Sequence, residues 1–217
     1  MINQRYLAID TSSSVASICL ATDGGCISRQ ELSSHVHAPI ILSMVDAVMM
    51  EAKCSWSQLD GLLWACGPGA FTGLRVASAV VQGFHFAHGL PVFAVSTLLA
   101  YAQWACQLTG SDCVQVVLDA RMGQLYAGLF QRNDDCWQLL NVCLQDVDDF
   151  RCSADHSGVL CGNAVGLLSE SALLPQWQVD KTSLLDLANY LPSLLGQPLV
   201  ERNCLTPTYI RNRVVGH

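Results

Sequence analysis

The sequence predicts an α/β protein of two similar lobes, the second of them reduced. Three observations predict this class. Short apolar runs of strand length alternate with longer stretches at helical spacing. The order β-β-β-α-β-α-β-α is complete by about the middle of the chain. A strand–Asp–turn–strand unit then begins again: "LAIDTSSSVASICLA" (Leu7–Ala21) finds its counterpart in "VVLDARMGQLYAGLF" (Val116–Phe130).

Tyr6–Asp10 is an apolar run ending in a carboxylate, and Val15–Ala21 is a second strand. The turn signal "TDGG" at Thr22–Gly25 leads to a third at Cys26–Leu32. Val36–Lys53 reads as a helix, because Ile40, Ile41, Met44, Val45, Val48 and Met49 repeat at helical spacing. Gly61–Cys66 is a short buried strand and Leu74–Ala87 the next helix. Pro91–Val95 and Thr97–Leu108 complete the first lobe, residues 1–108. Residues 109–217 form a smaller second lobe, with strands expected at Val114–Asp119, Gln124–Gln131, Trp137–Leu144 and Gly158–Gly162. Asn163–Ser169 and Leu184–Leu195 are candidate helices, and the final segment is left free to pack back on the first lobe. Two such lobes meeting at a cleft describe the actin/Hsp70-like (ASKHA) fold with RNase H-like halves.

Composition bounds the function. The chain of 217 residues is 51% hydrophobic and only 13% charged, against a usual charged share of about 25%. A surface covered by a partner and a compact core of buried strands both fit that deficit. Net charge is −7 and lysine occurs twice, so the chain alone is ill suited to gripping nucleic acid. The 11 cysteines include no C-x-x-C pair and no zinc-finger spacing, which reads as reduced thiols. No secretory pattern and no run of ~18–20 apolar residues is present, so a cytoplasmic protein without a membrane span is expected.

In this fold the turn between the first two strands of each lobe faces a nucleotide phosphate. Those turns are "DTSSS" (Asp10–Ser14) and "DARMG" (Asp119–Gly123). Asp10, Thr11 and Ser12 are therefore candidate nucleotide-binding residues, with Asp10 suited to a metal-bound water. The first turn lacks the glycine that lets backbone approach a phosphate. That absence favours a plainer reading, in which Asp and hydroxyls satisfy the turn's own amides. Arg121 has two open roles: phosphate contact, or an ion pair with Asp10 or Asp119.

The loop "ACGPGAFTGLRVASAVVQG" (Ala65–Gly83) also resembles a phosphate loop. It lacks the Walker lysine, and Gly67, Gly69 and Gly73 miss the dinucleotide spacing. Gly67, Pro68 and Gly69 form a sharp structural turn, and Thr72 is a candidate N-cap for the next helix. Ala79, Gly83 and Ala87 recur every fourth residue, a face that lets another helix approach closely. Mid-helix Gly83 costs about 1 kcal/mol relative to Ala, which points to a packing reason within or between chains. No catalytic motif is present. His35 and His37 would point apart on a helix. His85 and His88, i and i+3, make an incomplete metal pair, so no metal site and no catalytic residue is assigned.

Five stretches, "LAIDTSSSVASICLA", "GPGAFTGLRVA", "QGFHFAHGLPVFAVSTL", "LDARMGQLYAGLF" and "PTYIRN", resemble the bacterial TsaB family, formerly YeaZ. The resemblance spans most of the chain and is weakest over Asn133–Asn203. It implies a subunit of the machinery that places threonylcarbamoyl on N6 of adenosine 37 in tRNAs reading codons that begin with A. It implies a non-catalytic scaffold for TsaD, a catalytic paralogue, with the ATPase TsaE joining the complex. The chain would form a homodimer when alone, and tRNA would be met only through the complex. No cofactor of its own is implied, and ATP or ADP would enter only in the assembly. In TsaD its own G-P-G loop and helix are followed by a strand and then by two metal-binding His four residues apart on a helix. The matching positions here, Thr97 and Tyr101, are not plausible ligands for that metal. The interface would use helices Val36–Lys53 and Leu74–His88, with Ile40, Met44, Val48, Ala79 and Gly83 as its candidates. The alternative is a stand-alone ATPase or small-molecule kinase of the same fold. A metalloprotease, a label the family has carried, is disfavoured by the missing ligand pair.

Overall fold

A computed structural model describes residues 4–22, 24–32, 38–180, 187–208 and 210. The chain starts as a meander, β1 (Tyr6–Asp10), β2 (Val15–Thr22) and β3 (Gly25–Leu32). Next come α1 (Ala38–Glu51), β4 (Gly61–Gly67), α2 (Phe71–His88), β5 (Val92–Ser96) and α3 (Thr97–Thr109). The second meander is β6 (Cys113–Arg121), β7 (Gln124–Asn133) and β8 (Cys136–Asp146), followed by β9 (Gly158–Cys161), β10 (Trp177–Val179) and β11 (Glu201–Arg202).

The two sheets repeat one plan. The first has the order β11-β5-β4-β1-β2-β3 and the second β10-β9-β6-β7-β8. In each, the leading strand pairs antiparallel with the next and parallel with a later one: β1 with β2 and β4, β6 with β7 and β9. Thus β9 is the counterpart of β4. Both end in a Cys-Gly step, and Gly67 and Gly162 take nearly the same left-handed φ, +116° and +115°. This is the actin-like α/β fold. The strands β1 and β4 are apolar but for Asp10 at the end of β1, as burial on both faces requires: all of both strands is buried.

α3 lies between the sheets. Leu98, Tyr101, Ala105 and Cys106 share one core with Ala8 and Leu63 of the first sheet and Val116, Phe130 and Cys161 of the second. α1 and α2 cover the other face of the first sheet. Ile41, Met44, Val45 and Val48 pack there with Leu7, Ile9, Trp64, Ala77 and Val81. Fully burying each such side chain contributes about 1.5–3 kcal/mol, which fixes which way α1 faces. Among the described residues the second lobe has no long helix on its outer face. The chain from Val147 to Ala172 covers it through Val147, Phe150, Ala164, Val165 and Ala172.

Two expected helices are absent. Only Val165–Leu167 forms a 3₁₀ turn in the Asn163–Ser169 stretch: Gly166 is a weak helix former, and the Leu168 amide bonds i→i−3 to Val165. In Leu184–Leu195, residues 184–186 lie outside the described ones. The rest breaks into 3₁₀ turns at Leu187–Tyr190 and Pro192–Leu194, since Pro192 has no amide to continue a helix. This segment packs on the first lobe, where the Ala188 amide donates to Ser17 Oγ at 3.0 Å. The chain then adds β11 to the edge of β5 and crosses β4 as far as Thr208.

Candidate functional site

The turn after β1 is filled by the protein itself. Asp10 is buried, and its Oδ1 accepts from the Ser12 amide at 2.8 Å. Thr11 Oγ1 donates to the Gly73 carbonyl at 2.7 Å, and the Ala70 amide donates to the Ser12 carbonyl at 2.7 Å. Glycine is obligatory at this contact. A Cβ on Gly73 would lie 1.9 Å from the Thr11 carbonyl oxygen, and one on Gly69 would lie 2.3 Å from that of Ser12. The glycines therefore bring the α2 loop flat against the Asp10 turn. Thr72 is not the N-cap. The helix begins at Phe71 with Ala70 as cap residue and no capping side chain, because the bond to Ser12 sets where the loop stops.

Thr97 and Tyr101 stand on the first turns of α3, both buried. Burial, then the charge of Asp10, raises the Tyr101 phenol well above its ordinary range, so it stays protonated and neutral. Two buried hydroxyls at this end of the sheet, Ser12 Oγ and Thr97 Oγ1, have no hydrogen-bond partner.

The turn after β6 is open instead. Arg121 pairs with Asp119 of its own turn at 3.1 Å, and its amide donates to Asp119 Oδ1 at 2.7 Å. Its side chain is 83% exposed. Asp119 is held in turn by its amide, which donates to Asn163 Oδ1. Of the ion pairs open in the sequence, the structure forms the one with Asp119.

The helices overturn part of the interface assignment. Met44 and Val48 face the core, and Ile40 is half-buried against it, so the wide apolar stripe of α1 is the face that meets the sheet. Ala79 and Gly83 do face outward, and a Cβ on Gly83 would meet nothing within 4 Å. Packing inside the chain is therefore not the reason for Gly83. His85 Nδ1 is 2.7 Å from the Leu90 carbonyl, and His88 stacks on Trp56 with ring centroids 4.2 Å apart. His35 and His37 lie outside the described residues. Among the described residues no three His, Cys, Asp or Glu side chains are grouped to hold a metal, and no helix is long and apolar enough to cross a membrane.

A separate cavity of about 500 Å³ is lined by Ser111, Ser157, Gly158, Pro175, Gln176 and Trp177, among others. It sits at the start of β9 and β10, at the far end of the sheet from Asp119, and has no charged side chain in its lining.

A family model described as TsaD, tRNA N6-adenosine threonylcarbamoyltransferase, matches residues 15–149. The solved structure of YeaZ from Pseudomonas aeruginosa superposes with a TM-score of 0.84 at 30% identity, covering 95% of this chain and 99% of that one. A second Pseudomonas aeruginosa structure, described as similar to peptidase YeaZ, gives 0.84 at 32% identity over 96% and 100% of the two chains. The chain belongs to the TsaB/YeaZ family. The TsaD-type match fits a paralogous relationship. The TsaB of Escherichia coli K12 is 36% identical over 131 residues, 60% of this chain and 57% of that protein. The TsaB of Haemophilus influenzae is 37% identical over 126 residues, 58% and 53% of the two. The matched stretch thus spans a little over half the length of these curated relatives.

For this TsaB/YeaZ chain, the sequence reading missed the large apolar residues of the outer surface. Leu42 and Met50 of α1 and Phe71 and Phe86 of α2 are exposed, Phe86 by 78% and Met50 by 79%. Their signal was available. Leu42, Met50 and Phe86 are apolar residues that fall off the core-facing stripe of their own helix.

Proposed function

We propose that this chain is a non-catalytic scaffold subunit in the formation of threonylcarbamoyladenosine on tRNA. It binds and activates a TsaD-type catalytic paralogue through the outer faces of α1 and α2. The observation that carries this reading is the outer face of α2. Ala79, Gly83 and Ala87 offer a smooth, exposed strip, and Phe86 stands beside it. Close helix–helix approach needs such a strip, and large apolar residues at its flank supply burial. The paralogous TsaD-type match supports the choice of partner, because a chain of the same fold presents equivalent helices.

The filled Asp10 turn supports the non-catalytic part. Thr11 and Ser12 of the Asp10–Ser14 turn make their hydrogen bonds within the chain, to the backbone at Gly73 and Ala70. On this reading the chain has no cofactor of its own, and ATP or ADP enters only with the TsaE-type ATPase in the assembly. The same face makes a homodimer when the partner is absent. A net charge of −7 leaves tRNA contact to the other subunits. The cytoplasm is the compartment where these partners meet.

The test pairs gel filtration with reconstitution. Gly83→Arg with Met50→Asp is expected to abolish co-elution with the TsaD-type paralogue and to cut tRNA modification, while far-UV circular dichroism and melting temperature stay near wild type. Unchanged co-elution would overturn the interface. Tight ATP binding by the isolated chain, lost on Asp10→Ala, would overturn the non-catalytic reading.

A further inference from the structure

The stretch Asn203–Thr208 forms a strap across the first lobe, anchored on β4, β5 and the inner side of α2. The Asn203 amide donates to the Val92 carbonyl at 2.6 Å, and Trp64 Nε1 donates to the Cys204 carbonyl at 3.0 Å. Ser78 Oγ donates to the Leu205 carbonyl at 2.6 Å. Gln82 Nε2 donates to both Ser78 Oγ, at 2.9 Å, and the same Leu205 carbonyl, at 3.1 Å. The Thr208 amide donates to the Cys66 carbonyl at 2.8 Å, just ahead of the Gly67 loop that leads into α2. The side chains of Cys204 and Leu205 pack on the core beneath α2.

Two features set this apart from ordinary chain packing. α2 devotes two polar side chains, one of them buried, to a single carbonyl 123 and 127 residues away in sequence. Ser78 also immediately precedes Ala79 of the outer strip, and Gln82 immediately precedes Gly83. Consecutive helical residues point about 100° apart, so the strap grips α2 close to the edge of the face that meets a partner.

We propose that Ser78 and Gln82 are positioning residues for partner binding, which hold α2 in its docking position by clasping the C-terminal strap at the Leu205 carbonyl. The inference rests on the outer face of α2 being the docking face. By linkage, a strap that favours partner binding must itself be held more tightly once the partner is bound.

The experiment uses the full chain and a purified TsaD-type paralogue. Ser78→Ala with Gln82→Leu removes the three hydrogen bonds, of which two hold the strap. It is expected to weaken partner binding about tenfold, with near wild-type circular dichroism. Ser78→Thr, which keeps the hydroxyl, is expected to restore most of the loss when paired with native Gln82. In the wild-type chain, hydrogen exchange at the Asn203 and Thr208 amides is expected to slow several-fold on adding the partner. Gly83→Arg serves as the control. If it leaves binding intact, the docking face itself is wrong. If it abolishes binding while the double variant binds as wild type, or the strap amides exchange equally fast with and without partner, the clasp is wrong.

Discussion

The two strand–Asp–turn–strand units begin alike and end differently. Both place an Asp at the end of the leading strand, and both Asp side chains accept from the amide two residues on, Ser12 and Arg121. The first turn is then covered, because the first lobe carries α2 and the glycines of its loop let that helix close on Thr11 and Ser12. The second turn has no counterpart of α2: the stretch after β9 forms only 3₁₀ turns, and Arg121 and Met122 stand in solvent. The two turns thus differ in what frames them: the first packs against the α2 loop, and the second stands without such a helix.

The largest expected effect comes from forcing the filled turn apart. Gly73→Ala puts a methyl group 1.9 Å from the Thr11 carbonyl oxygen, a backbone atom that cannot swing away. It is expected to cost about 3 kcal/mol, which lowers the melting temperature by about 6–12 °C in a domain of this size. Gly123→Ala in the open turn meets nothing within 4 Å and pays only for its positive φ, +74°. That substitution is expected to cost about 1 kcal/mol. Thermal melts of the two variants side by side check the contrast. Equal losses would mean that the first turn is not packed as described.

The counterpart cysteines sharpen the comparison at the ends of β4 and β9. Burial pushes the Cys66 thiol up from 9.0 to about 11, the Thr208 hydroxyl only partly offsetting it. Burial, then the charge of Asp180, pushes Cys161 up as well. A thiol with a raised folded-state pKa binds its proton more tightly folded than unfolded. Its contribution to stability is whole below the unfolded value and is lost as pH rises, for Cys66 between about 9 and 11. At pH 8 a thiol reagent is expected to label the exposed Cys26 and Cys136 in the native protein. Cys66 and Cys161 are expected to label only after unfolding, at equal rates. Peptide mapping reads this directly, and early labelling of Cys161 alone would show the reduced lobe opening independently of the first.

The elements legible in the sequence are those with enough residues to show a period. β1, β4, β6 and the three helices lie within two to three residues of where their apolar spacing puts them. β10 and β11, with three and two residues, are too short to show any alternation, and partner strands define them. The Asp10 turn was legible as a turn, but its packing against the α2 loop was not, since that depends on contacts 62 residues apart. The stripe Met44–Val48 was legible as apolar, yet periodicity says only that a face is buried and not against what. Core packing took that face, and the smaller strip Ala79–Gly83, with less hydrophobic signal, was left outside.

The smallest effect tests whether the open turn is kept open for a reason. Met122 and Gly123, the two residues between the paired Arg121 and Gln124, have positive φ, +57° and +74°, where two-residue hairpin turns favour Asn and Gly. Met122→Gly relieves that conformation and removes a side chain that is 86% exposed. It is expected to raise stability by about 1 kcal/mol, a melting shift of about 2–4 °C. Backbone strain at an exposed tip points to a use for the side chain it presents. A stabilised variant that supports full tRNA modification in the reconstituted system would make the tip incidental. A stabilised variant with reduced modification would separate the two turns for good. The first would be a packed remnant, and the second a contact point that the assembled complex reads through Met122.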